Sequence, residues 1–353
     1  MEQFRLLHGR HHEFGRYIPS PVNFPHGLRA LADRCHENGI KFGLHMMRGL
    51  PLGAVERNTP VKDTPYHARD IYDPDGACSW CQYWVAAKAD HPGTPAFYKS
   101  EVEYLTEELE VDFIKLDDVV EHPDHAALFG EAVASVPRPV LLSLSPGGEC
   151  CRENWETLEK YGNMVRITSD AWDHDETNLQ KLQRWYEFQD LSSDSLRADL
   201  DMLPLGALQV TTDFRQSRLT PRGKRVMMTI MALSGSPLIF GGDLPRTPQE
   251  DFDFATHPAV LECNAWCIPG RRVSFQHHID VRRSPDRRDS SHGWIGVFST
   301  SELPRHIVLS PSHLGFSVLP PLRELWSGYE VAPTVDGNAE FYLPPYDVAF
   351  LRY

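Results

Sequence analysis

Residues 24–49 read FPHGLRALADRCHENGIKFGLHMMRG, and this stretch decides the fold. Leu28, Leu31, Ala32 and Cys35 stand at i, i+3, i+4 and i+7, which is one apolar face of a helix. Gly39 sits where a helix C-terminal glycine belongs, because the left-handed backbone that ends a helix carries no Cβ penalty there. Directly after it, IKFGLHMM (40–47) is apolar nearly throughout, the mark of a strand covered on both faces. A helix that passes through a glycine into a buried strand is half of a repeating β/α unit.

The unit recurs. A helix over about 94–109 leads into VDFIKL (111–116), one over about 125–135 into PVLLSLS (139–145), and ENWETLEKYG (153–162) into NMVRITSD (163–170). A helix at about 176–190, a short strand near DMLPLG (201–206), a helix at about 220–233 and a strand SPLIFGG (236–242) follow. Strands each preceded by a helix pair in parallel, with the helices covering the sheet. These six strands are two short of an eight-stranded barrel, and nothing upstream of residue 26 supplies the rest. From about 270 the pattern changes to short alternating strands: RRVSFQHHIDV, GWIGVFST, RHIVLS, RELWSG, AEFYL and DVAFLRY, punctuated by SSHG and VDGN. The expected fold is α/β: a TIM-type (β/α)8 barrel, N-terminally incomplete, over 1–268, then a small antiparallel β-sandwich over 269–353.

Composition narrows the function. The chain has 353 residues, 41% hydrophobic and 24% charged, with a formal net charge of −14. That surplus of negative charge repels phosphate backbones, so nucleic acid and anionic membranes are poor partners. No stretch approaches the roughly 20 apolar residues a membrane span needs, and the start lacks signal-peptide features. As written the chain reads as cytoplasmic; a missing true N-terminus would make it secreted or periplasmic. Its seven cysteines, Cys35, Cys78, Cys81, Cys150, Cys151, Cys263 and Cys267, read as reduced thiols. Cys78 and Cys81 form a lone CxxC with no second pair to complete a zinc site.

The informative acids stand at strand C-terminal ends, where a parallel barrel carries its chemistry. One strand ends Lys115-Leu116-Asp117-Asp118, another Arg166-Ile167-Thr168-Ser169-Asp170, and a third region carries Asp199-Leu200-Asp201-Met202. Alternation puts Lys115 and Asp117 on one face of their strand. Paired carboxylates are what glycoside hydrolysis uses, one as nucleophile and one as proton donor and then base. A nearby lysine would keep the nucleophile ionised. Acids at strand ends also cap helices and hold loops, and Asp117-Asp118 could hold magnesium instead.

At these residues the chain resembles glycoside hydrolase family 27, the melibiase-type α-galactosidases, and its bacterial branch in particular. The matching landmarks run in order: FPHGLRALADRCHENGIKFGLHMMRG, HPGTPAFY, VDFIKLDD, LLSLSPG, NMVRITSDAWD, DLDMLPLG, LTPRGKRVMMTIMALSGSPLIFGGDL and ELWSG. The resemblance implies a (β/α)8 barrel followed by an antiparallel β-domain. It implies Asp117 as nucleophile, with Leu116 where an aromatic is common, and Asp170 as general acid/base. Lys115, Arg166 and Asp201 fall on residues that bind sugar hydroxyls. Ser145 stands where many members carry a glutamate facing the C2 substituent, which is similar to the N-acetylgalactosaminidase pattern. The family's aspartate pair at the end of its second strand has no counterpart here.

The expected activity is therefore retaining hydrolysis of terminal α-linked galactose-like residues on oligosaccharides or glycoconjugates. The alternatives are an α-N-acetylgalactosaminidase, a β-L-arabinopyranosidase, or a truncated carbohydrate-binding protein without turnover. No metal or organic cofactor is expected, since two carboxyl groups suffice. The oligomeric state stays open, a homo-oligomer or a strand-supplying partner included. His45 and Arg48 end the first strand and are candidate substrate contacts, as are Trp80 and Trp172 for stacking on a sugar ring. His8, His11 and His12 read as a loop cluster, His277-His278 as part of a β-domain strand, and SPGG (145–148) as a bend after its strand.

Overall fold

The computed structural model describes residues 13–145, 152–193, 195–209 and 213–353. His8, His11, His12, Cys150, Cys151 and residues 146–148 of SPGG lie outside them. The chain forms two compact units, Met1–Arg166 and Ile167–Tyr353. The expected boundary at 268/269 falls inside the second unit, where a helix gives way to the first β-domain strand.

In the first unit, α1 (Gly27–Glu37) leads into β1 (Gly43–Met47) as the spacing predicts. The helix ends at Asn38, and Gly39 follows at φ +70°. Its apolar face is only partly used: Ala32 is buried, and Leu31 is 38% exposed. After β1 the chain turns at Gly49, φ +91°, where a Cβ would lie 2.0 Å from Val85 O, so only glycine fits. A small antiparallel sheet follows, built from β2 (Leu50–Pro51), β3 (Tyr72–Asp73) and β4 (Trp84–Ala87). Two short helices, α2 (Leu52–Arg57) and α3 (Ala68–Ile71), lie between β2 and β3.

Three helix–strand units then repeat. Helix α4 (Gly93–Glu103) widens into a π-turn at Tyr104–Glu108 and feeds β5 (Phe113–Asp117). Helix α5 (Pro123–Ser135) feeds β6 (Leu141–Leu144), and α6 (Trp155–Tyr161) feeds β7 (Met164–Arg166). The strands pair in parallel in the order β1-β5-β6-β7. Ile114, Leu116, Leu142, Leu144 and Val165 are all within 1% of complete burial, each contributing roughly 1.5–3 kcal/mol of apolar transfer. At the N-terminal end of the sheet Asp112 fastens β1 to β5. Its carboxylate accepts Phe42 N at 2.9 Å and Arg138 Nη2 at 2.9 Å, and meets His36 Nε2 at 2.7 Å.

The second unit opens with Ile167 N donating to Asp199 O, then α7 (Asp175–Phe188) and β8 (Arg197–Asp199). Here the sequence expectation is corrected. DMLPLG and SPLIFGG are not strands; they meet only at the parallel bridge Leu203↔Phe240. Pro204 and Pro237 lack the N–H that a ladder needs, and Gly206 takes φ +70°. β9 (Ala207–Gln209) and β10 (Phe214–Gln216) pair antiparallel. Helix α8 (Pro221–Ser234) has Thr220 Oγ1 accepting Gly223 N, Pro221 in its first turn and Gly235 at φ +66° beyond its end. Helices α9 (Gln249–Ala255) and α10 (Pro258–Trp266) complete the helical part.

The β-domain has the expected antiparallel two-layer build. One sheet runs β11 (Arg271–Gln276), β12 (Ile279–Pro285), β13 (Gly293–Ser299), β18 (Val348–Arg352), β15 (Leu322–Glu324), β16 (Glu330–Val331). The other pairs β14 (Arg305–Leu309) with β17 (Ala339–Leu343). Val281, Ile295, Val297, Leu309, Phe341 and Leu351 share the core. RRVSFQHHIDV is not one strand: His277 (φ +51°) and His278 (φ +66°) form the two-residue turn of the β11–β12 hairpin. Both positions need positive φ so that the turn's twist matches the strands. The fold class is the expected one, β/α repeats of the TIM-barrel type followed by an antiparallel β-domain. Among the described residues no helix is long and apolar enough to cross a membrane.

Candidate active site

The parallel register of the first unit arranges its polar residues in rows. His45 pairs with Lys115, which pairs with Ser143; two residues on, Met47 pairs with Asp117. Ser143 pairs with Met164 and Leu144 with Val165, so one further step sets Ser145 beside Arg166. Side chains two apart on a strand share a face. The register therefore collects His45, Lys115, Asp117, Ser145 and Arg166 at the C-terminal end of one sheet face.

Asp117 is the centre of this group. It is 9% exposed, its Oδ2 lies 3.1 Å from His45 Nε2, and its Oδ1 accepts Asp118 N at 3.0 Å. Burial pushes its carboxyl upward, but the His45 hydrogen bond and the charge of Lys115 outweigh it. The group is held below the usual carboxylate range and stays ionised at neutral pH. Ser145 is fully buried, and its Oγ has no hydrogen-bond partner among the described residues. Arg166 is 7% exposed.

Arg48 does different work from a ligand contact. It is 4% exposed, and it donates Nη2 to Asp118 Oδ2 at 2.8 Å and to Gly76 O at 3.1 Å, with Nε to Asp118 O at 2.8 Å. Asp118 has φ +57°, a conformation that a non-glycine residue keeps only when its surroundings hold it. Arg48 thus fixes the turn that follows Asp117. Trp80 is 50% exposed on the segment between β3 and β4. Cys78 and Cys81 are reduced and half-buried, and the described residues contain no cluster of three metal-ligating side chains.

A residue not singled out in the sequence also borders this group. Glu101, on α4, is 5% exposed. Burial raises its carboxyl to about 7, with Arg16 pulling the other way. It lines a cavity of about 290 Å³ together with Leu44, His45, Met46, Trp84 and Tyr104. Nothing in the sequence marks Glu101, since a glutamate on a helix ordinarily faces water.

The second unit holds Asp170 and Asp201. Asp170 is exposed; Asp201 is buried, with φ +69°. Asp201 Oδ2 accepts Ala171 N at 2.7 Å, and Asp201 N donates to Asp199 Oδ1 at 2.8 Å. One carboxylate therefore fixes the backbone just after the other. Asp173, which sequence reasoning passed over, is 1% exposed and grips Arg215 through both carboxylate oxygens, at 2.5 and 2.8 Å. It also accepts Arg218 N at 2.7 Å. Burial opposes its ionisation, but these bonds hold it at about 2. Trp172, between Asp170 and Asp173, is partly buried.

No family model matches the chain. Among curated proteins it is 24% identical over 318 residues to an α-N-acetylgalactosaminidase of Rattus norvegicus, covering 86% of this chain and 66% of that protein. An α-galactosidase of Cyamopsis tetragonoloba is 21% identical over 282 residues, covering 77% of this chain and 56% of the relative. The chain thus spans about two thirds of the first relative's length and just over half of the second's. Among solved structures, a family 27 β-L-arabinopyranosidase of Geobacillus stearothermophilus superposes with a TM-score of 0.90 at 29% identity, covering 97% of this chain and 81% of that one.

Proposed function

Because the chain belongs to glycoside hydrolase family 27, we propose that it is a retaining glycosidase acting on terminal α-linked galactose-like residues. The observation that carries this reading is Asp117, buried at a strand end yet kept ionised by His45 and Lys115. A nucleophile must be charged and must reach the anomeric carbon, and Asp117 is held charged at the strand end where the sheet face gathers its polar residues.

In the proposed reaction an Asp117 oxygen bonds to the anomeric carbon as the glycosidic bond breaks. The bond's electron pair goes to the departing oxygen, which takes the proton of Asp170. The Asp170 carboxylate then takes a proton from water, and that water displaces Asp117 and releases the sugar with its anomeric configuration retained. Retention asks for carboxyl groups roughly 5–5.5 Å apart. Lys115, Arg166 and Asp201 are assigned to sugar hydroxyls, and Ser145 to the space beside C2. Arg48 acts through Asp118, and Trp80 is a rim contact. Residues 1–268 would carry the chemistry and 269–353 the β-domain.

A second reading is favoured by the β-L-arabinopyranosidase superposition. β-L-Arabinopyranose has the ring configuration of α-D-galactose without the hydroxymethyl group at C5. The test compares aryl α-galactoside, aryl β-L-arabinopyranoside and aryl α-N-acetylgalactosaminide, each with the unaltered chain and with Asp117→Asn. Turnover of one of them that falls at least about 10³-fold in the variant supports the assignment. Near-normal turnover by Asp117→Asn would remove Asp117 from the role of nucleophile. Sugar binding without turnover of any of the three would favour a carbohydrate-binding protein.

A further inference from the structure

In the second unit α7 and α8 begin side by side: a Cβ on Gly223 would lie 2.3 Å from Asp175 Oδ1. Beside their first turns is a cavity of about 530 Å³, closed on another side by β13 and the segment before β18. Small-molecule sites run to roughly 300–1,000 Å³. None of the residues assigned to hydrolysis lines it.

The cavity has an apolar part and a polar part. Leu182, Val226 and Phe298 line it as buried residues, while Leu179 and Tyr346 remain 38% and 41% exposed. Tyr346 has φ +52°, a left-handed backbone that a residue with a side chain adopts only when its surroundings hold it there. Its neighbours impose that backbone. Arg222 Nη1 donates to Pro345 O at 2.8 Å, Arg225 Nη2 donates to Asp347 at 3.0 Å, and Ser299 N donates to Asp347 O at 2.9 Å.

The polar lining sets three side-chain acceptors beside the donors Arg222 and Arg225. Asn178 is 5% exposed; its Nδ2 donates to Gly223 O at 3.0 Å, and its Oδ1 has no hydrogen bond among the described residues. The carboxylates of Asp175 and Glu176 also make no hydrogen bond or ion pair within 4 Å among them. First-turn acids suit a helix dipole whatever lies nearby. The dipole does not account for the Asn178 oxygen or for the Tyr346 ring. Three acceptors that make no hydrogen bond of their own suit a ligand rich in hydroxyl groups, and an exposed aromatic ring suits the C–H face of a pyranose. Arg222 and Arg225 face Asp347 as well as the two first-turn carboxylates, so the lining has no positive surplus for an anionic ligand.

We propose that this cavity is a second, non-hydrolytic saccharide site, taking a neutral pyranose with its C–H face on Tyr346 and Leu179 and its hydroxyls donated to Asn178, Asp175 and Glu176. The site stands independently of the hydrolytic reading, because its readout is binding.

The experiment uses the full chain carrying Asp117→Asn, titrated calorimetrically with the methyl glycosides of galactose, glucose, mannose and xylose. The same titrations are run with Tyr346→Ala added, and with Asp175→Ala and Glu176→Ala added together. At least one glycoside should bind and should lose about tenfold in affinity in both variants. Without Asp117→Asn, the same cavity changes should leave aryl glycoside hydrolysis within about twofold. Unchanged affinities for all four sugars in both variants, or no binding at all, would overturn the proposal. So would tetramethylammonium binding that these variants weaken when sugar binding is unaffected, since the cavity would then serve a cation. Tyr346 and both acids are exposed at the surface, so the variants should stay folded, with the loss of two first-turn acids lowering the thermal midpoint by only a few degrees.

Discussion

His45 Nε2 stands 3.1 Å from Asp117 Oδ2, across the junction of β1 and β5. The contact follows from register: His45 pairs with Lys115, so Asp117 is the same-face neighbour one step diagonally onward. Replacing His45 by Ala removes a hydrogen bond to a charged group, worth about 1.5–3 kcal/mol. The sign is set by which form the bond favours. His45 stabilises the ionised carboxylate, so without it the Asp117 value rises toward the ordinary range. The acid limb of the kcat/KM profile should move to higher pH, and activity at neutral pH should fall about tenfold or more. A profile whose acid limb stays in place would show that His45 does not act through Asp117.

Arg48 and Asp118 form a buried pair directly after the proposed nucleophile, at side-chain exposures of 3% and 13%. Removing one partner of such a pair leaves the other charge uncompensated, at a cost of about 3–5 kcal/mol. Arg48→Ala should therefore lower the urea midpoint substantially. Arg48→Lys should recover little, because a single ammonium cannot serve Asp118 Oδ2, Asp118 O and Gly76 O together. A full rescue by lysine would show that charge alone matters here.

Asp112 predicts the acid side of the stability curve. Burial opposes its ionisation, but the bonds from Phe42 N, His36 and Arg138 prevail and hold its value well below the unfolded one. The unfolded chain then binds the proton first as pH drops. The stabilisation is complete above the ordinary aspartate value of about 3.9 and is lost progressively below it. Asp112→Asn should flatten that decline and lower stability at neutral pH. Denaturant unfolding measured from pH 3 to pH 7 on both chains checks the slope.

The β/α half of the fold was legible because each strand is an apolar run and each helix ends near a glycine or turn. Alternation along Lys115-Leu116-Asp117 also indicated which face the lysine and aspartate share. Other features depend on tertiary pairing that one sequence does not display. Asp173 and Arg215 are 42 residues apart, and only the fold joins them. His277-His278 lacks the glycine or asparagine that advertises a two-residue hairpin, so the turn was absorbed into a strand. The apolar letters of DMLPLG and SPLIFGG suggested strands, but their prolines and glycines leave only one bridge. Arg48 carried the signal of a strand-end residue, yet its burial and its hold on Asp118 came from the fold alone.

Glu101 gives the opposite pH sign to Asp112. It is buried, and burial raises its carboxyl to about 7, against the pull of Arg16. Between the unfolded value of about 4.3 and that raised value, the folded chain binds the proton more tightly than the unfolded one. Stability attributable to this group is therefore greatest in acid and is lost as pH climbs through that window. Glu101→Gln keeps the shape and the hydrogen-bonding capacity while removing the charge. The variant should be more stable than the parent at pH 8, and the two should converge near pH 5. Thermal melts at both values decide it: a variant less stable at pH 8 would mean that the ionised form is paired with Arg16 strongly enough to outweigh its burial.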